Sequence, residues 1–115
     1  MNKTERLPVD QARLVQAWKE TLPTTMKQVD SVQVYPDATD PETVRITVTT
    51  AGHSGYEFDF ACKYVDPREV QVSLVDVEQN GVSIDERSDI VQQLAADYVR
   101  HIHECAQALH DLTNP

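Results

Sequence analysis

Asp97, His101 and Cys105 are the first residues whose types and spacing point to chemistry. On a helix, positions i, i+4 and i+8 bring each neighbouring pair within reach of one ligand. A histidine and a cysteine one turn apart can share a zinc ion. The imidazole can also activate the Cys105 thiol as a nucleophile. Two features oppose this. Cys105 falls inside an apolar stripe with His101 at its border, and the set winds around the helix, so three-point convergence is strained. His103 and His110 share a flank, but a rise of about 1.5 Å per residue separates them by roughly 10 Å. One metal cannot hold both, and they read as polar flank residues.

His53 lies in the loop Gly52-His53-Ser54-Gly55. That loop lacks the lysine and helix start of a phosphate loop, and it is not a nucleophile elbow. The segment Pro36 to Glu42 is rich in carboxylates. Counted from Asp37, however, a calcium loop needs glycine sixth and glutamate twelfth, where Glu42 and Val48 stand. It reads as a solvated turn. CxxC, HExxH and dinucleotide-binding patterns do not occur, and the dispersed carboxylates give no acid/base pair by spacing. The sequence therefore nominates no catalytic residue and no cofactor. Its weak metal candidates are His101, Cys105 and Asp97.

The element that carries these side chains is a long amphipathic helix expected over Asp85 to Leu112. Val91, Leu94, Ala95, Tyr98, Ile102, Cys105, Ala106, Leu109 and Leu112 share one face, and no Gly or Pro interrupts it. Ser83 with Glu86 has capping-box spacing, and Asp85 is a competing cap. A first helix is expected from Pro8 or Val9 to Thr21. Leu14, Val15, Trp18 and Leu22 form its stripe, Asp10 either caps it or favours its dipole, and Pro23 is its stop. Trp18 is expected to anchor the core against a sheet.

Between the helices lie four strand patterns. Val29 to Tyr35 is weak and closed by Pro36. Thr43 to Thr50 and Tyr56 to Tyr64 alternate cleanly and make a hairpin. Glu69 to Gln79 alternates through Val70, Val72 and Leu74, then Val75 and Val77 break the phase, which implies either a bulge near Leu74 or an outer sheet face that is partly apolar there. Asn80-Gly81 signals a turn that closes a short pairing through Val82 and Ile84, or leads into the last helix.

The expected fold is α+β. It is a two-layer sandwich with a four-stranded antiparallel meander and both terminal helices on one face (α-β-β-β-β-α). The chain is read as one domain, residues 1–115, with Met1 to Leu7 frayed. The C-terminal helix should cover Ile46, Val48, Phe58, Phe60 and Val72. The opposite face, with Arg45, Thr47, Thr49, Glu57, Asp59, Lys63, Gln71 and Ser73, is left to solvent or a partner.

Totals limit the function. Forty per cent of the 115 residues are apolar and the net charge is −9. Such a surface repels phosphate backbones and anionic membranes. The start, MNKTERLPVD, has no hydrophobic segment, so a cytoplasmic location and two reduced cysteines, Cys62 and Cys105, are expected. The element order is loosely similar to small acidic α/β proteins, among them dimeric secretion chaperones, but no residue motif carries a function across. The leading expectation is a non-catalytic binding or accessory protein acting on another protein or on itself as a homodimer. The alternatives are a metal- or thiol-dependent enzyme using His101 and Cys105, and an acidic mimic that blocks a nucleic-acid-binding partner.

Overall fold

The computed structural model describes residues 7–26, 29–50 and 55–115. Helix α1 (Gln11–Thr25) leads into strands β1 (Val29–Pro36), β2 (Thr43–Thr50), β3 (Tyr56–Asp66), β4 (Glu69–Gln79) and β5 (Val82–Ser83). Helices α2 (Asp89–Ala108) and α3 (His110–Thr113) follow. The strands form one antiparallel meander in chain order. This is the expected two-layer α+β fold, with the short β5 added at the Asn80-Gly81 turn. Both turn residues have positive φ, 54° and 84°, as the tightest hairpins require.

The core is the inner sheet face. Val34, Ile46 and Phe60 form one cross-strand row, and Val32, Val48 and Phe58 the next. Tyr98 of α2 meets Phe58 edge-on at 5.2 Å between ring centroids. Trp18 is fully buried and donates its Nε1–H to the Tyr64 hydroxyl at 3.2 Å. Leu7, expected to fray, partly packs on this core and donates its N–H to the Glu42 carboxylate at 3.3 Å. The other residues of the expected frayed start lie outside the described residues.

Three boundaries differ from expectation. Helix α1 starts after its Asp10 cap, which accepts from the Arg13 N–H at 2.9 Å, and it runs past Pro23 to Thr25. A proline so near the end forfeits only the bond to the Lys19 carbonyl, and both residues are exposed. The next carbonyls are satisfied locally: Thr24 Oγ1 donates to Thr21 and Thr25 Oγ1 to Leu22. The second helix starts at Asp89 rather than Asp85, capped by Ser88 without a side-chain bond. The expected capping box is absent because β5 claims Ser83, which donates to Asp76 Oδ2 at 3.1 Å, while Asp85 accepts the Arg87 N–H in a turn of its own. Finally, the helix hitches at Leu109, whose N–H is shared between the Cys105 and Ala106 carbonyls.

The phase break in β4 is a bulge, the first of the two readings its sequence allows. Phe60 pairs with Leu74 and Asp59 with Asp76, leaving Val75 as the extra residue. The alternation then resumes, with Val77 fully buried and Val75 47% exposed. Absorbing one residue this way returns Val77 to the core and turns Asp76 and Glu78 outward.

Candidate functional site

Helix α2 separates the three residues that invited a metal or thiol reading. Cys105 is 0% exposed in the core, and burial pushes its thiol up to about 12. Cys62 is equally buried and shifted upward, first by burial and then by the neighbouring Cys105. The His101 Nδ1 meets Glu104 Oε1 at 2.8 Å, and Asp97 pairs with Arg100 at 3.3 Å. Asp97 and His101 do share the wall of a 640 Å³ groove between the end of α1 and α2, floored by Met26 and Leu94; Cys105 does not reach that wall. Among the described residues, no three His, Cys, Asp or Glu side chains gather to hold a metal.

The other histidines are placed differently. His103 and His110, read as plain flank residues, line one polar cleft of 550 Å³ with Asp66 and Arg68 at the β3–β4 turn. His53 lies outside the described residues. Asp37 and Asp40 hold the 37–42 loop together through its own backbone. Asp37 accepts the N–H groups of Thr39 and Asp40, and Asp40 accepts that of Glu42. These backbone donors hold both carboxyls below their ordinary range.

The outer sheet face holds the larger charged arrangement. At one end its cations are neutralised by that loop: Arg45 pairs with Asp37 at 3.4 Å and Lys63 with Asp40 at 3.3 Å. At the other end, Glu57 lies directly opposite Glu78 and Asp59 directly opposite Asp76. Adjacent strands are about 4.8 Å apart, and i, i+2 positions repeat at about 6.8 Å, so four carboxylates form a compact grid. Like charges placed directly opposite destabilise a sheet. Partial desolvation, followed by the fields of Asp76, Glu57 and Asp59, raises the Glu78 pKa. Two hydroxyls relieve the grid in part. Thr47 Oγ1 donates to Asp59 at 2.7 Å, and Ser83 donates to Asp76. Apolar Tyr35, Val65 and Val75 are exposed on the same sheet.

Glu57 and Asp59 were legible as outward residues from the β3 alternation. Asp76 and Glu78 were missed, although a bulge near Leu74, one of the two readings of the phase break, moves both to the outer face. What the sequence does not display is the β3–β4 register that sets the two pairs opposite each other. Among the described residues, no helix is long and apolar enough to cross a membrane. Comparison with protein-family models, with curated proteins and with solved structures finds no match.

Proposed function

We propose that this chain is a non-catalytic accessory protein whose outer sheet face docks a cationic surface of another protein. The carboxylate grid of Glu57, Asp59, Asp76 and Glu78 is the observation that carries this reading. The chain tolerates like charges in register there while, among the described residues, the nearest cations on the face, Arg45 and Lys63, are engaged by loop carboxylates at the far end. A partner's lysines and arginines would relieve that repulsion, and the exposed Val75 beside the grid supplies apolar contact. Face-to-face pairing of two copies about a two-fold through the grid would instead superpose two acidic grids. The buried thiols and internally paired His101 and Asp97 give no comparable support to thiol or metal chemistry.

The test is a pull-down from native extract with the whole chain and with the variant Glu57→Gln/Asp59→Asn/Asp76→Asn/Glu78→Gln. The reading expects a basic protein that the unaltered chain retains, that salt elutes, and that the variant loses. Equal retention by both removes it. If added duplex DNA competes for the same partner surface, the mimicry form of the reading is selected.

A further inference from the structure

We infer that the groove between the end of α1 and α2 binds a small, neutral, largely apolar molecule that carries one hydrogen-bonding oxygen. The groove holds 640 Å³, within the range of small-molecule sites. Met26, Val29 and Leu94 give it an apolar lining, and Tyr98 of α2 stands in its wall. The two helices that frame it are tied together. Thr25 Oγ1 donates to the His101 carbonyl at 3.2 Å, which joins the last turn of α1 to α2.

The polar groups of the wall separate one from the rest. Asp97 pairs with Arg100, and His101 with Glu104. Thr24 and Thr25 donate their hydroxyls to backbone carbonyls. Tyr98 differs. It is 7% exposed, with its ring set edge-on against Phe58 and Phe60. Among the described residues its hydroxyl has no hydrogen-bond partner. A hydroxyl held in the core without a partner costs free energy unless water or a ligand reaches it. Among the described residues, Arg45 Nε is the one side-chain nitrogen or oxygen that is both sealed from solvent and unpaired. The Tyr98 hydroxyl therefore opens onto accessible space, and the groove is the space that Tyr98 lines. Burial, and then the field of Asp97, raises its pKa, so the hydroxyl keeps its proton and can donate it.

These facts select the ligand. The apolar lining favours an uncharged body. An anion would meet Asp97 and Glu104, and a cation would have to displace Arg100 or His101 from those carboxylates. A neutral molecule does neither, and its one oxygen completes the hydrogen bonding of Tyr98. The groove lies in the helix layer and the acidic grid on the outer sheet face, so this site and the docking face can fail independently.

A nitrogen-15 chemical-shift titration of the full chain with 4-ethylphenol tests the site. Saturable shifts centred on Met26, Val29, Leu94 and Tyr98 are expected. Tyramine and 4-hydroxyphenylacetate, which add a cation or an anion to the same ring, should bind about tenfold more weakly. Tyr98→Phe should weaken 4-ethylphenol about fivefold and leave ethylbenzene, which lacks the hydroxyl, unchanged. Without ligand, Tyr98→Phe should keep its urea midpoint, because no partner within the protein is lost. Tyr64→Phe, which loses the bond from Trp18, should lower it. Shifts that do not saturate, or that scatter over the surface, overturn the inference. So does an equal effect of Tyr98→Phe on 4-ethylphenol and ethylbenzene. Charged analogues that bind the unaltered chain as tightly as 4-ethylphenol overturn it too, and that comparison decides even if Tyr98→Phe fails to fold.

Discussion

Deleting one residue from the middle of a strand ordinarily flips every later side chain to the wrong face. Val75 should be an exception. It is the extra residue of the β4 bulge, so its removal leaves Leu74 inward, Asp76 outward, Val77 inward and Glu78 outward in simple alternation. The deletion loses one half-exposed valine and is expected to cost no more than about 1 kcal/mol. Deleting Ala61 from β3 is the contrasting perturbation. It turns the buried Cys62 and Tyr64 outward and Lys63 inward. Exposing the tyrosine costs about 1.5–3 kcal/mol, its hydrogen bond from Trp18 about 1, and an unpaired inward ammonium several more. The total exceeds about 5 kcal/mol, enough to unfold a typical domain. Urea titration followed by Trp18 fluorescence reads both. A Val75 deletion as damaging as the Ala61 deletion would refute the bulge assignment and the outward placement of Asp76 and Glu78.

Three further outcomes follow from local geometry. Gly55 has φ of 71°, and a Cβ there would strike the Asn80 side chain; Gly55→Ala should therefore destabilise by about 1–2 kcal/mol in the same titration, about as much as or more than Gly81→Ala, whose Cβ meets open space. Cys62 and Cys105 should resist an aromatic disulfide reagent in the folded protein and react together on unfolding; a fast native thiol would contradict their burial. Stability should rise as pH falls toward 4.5, because folded Glu78 takes up its proton above that ordinary value, and should fall below 3.8, where Asp37 and Asp40 lose the backbone N–H bonds that favour their charged forms. Glu78→Gln should flatten the upper limb alone; an unchanged limb would show that Glu78 does not feel the grid.

The fold was readable wherever one periodicity dominated. Thr43 to Thr50 and Glu69 to Gln79 coincide with β2 and β4, because alternation against a single dry face leaves little freedom. Helix ends were less readable, because tertiary demands chose between competing signals. Ser83 has the spacing of a cap, but the hairpin at Asn80-Gly81 draws it into β5. Pro23 reads as a stop, but two threonine hydroxyls serve the carbonyls of the last turn. The histidine–cysteine helix attracted attention through residue type, and its wheel already sent Cys105 to the core. The acidic grid was harder to see. Its four members come from two strands, and only cross-strand register makes neighbours of Asp59 and Asp76, which lie far apart in the sequence.

The central claim is that the grid end of the outer face recognises cations on a partner. Its most direct measurement is a nitrogen-15 chemical-shift titration of the full chain with an oligolysine peptide at moderate salt. The account predicts shifts centred on Glu57, Asp59, Asp76, Glu78 and the adjoining Val75, removed by the four-residue neutralised variant. Shifts spread evenly over exposed carboxylates such as Asp85 and Asp111, or centred on the groove at Asp97 and Glu104, would contradict it.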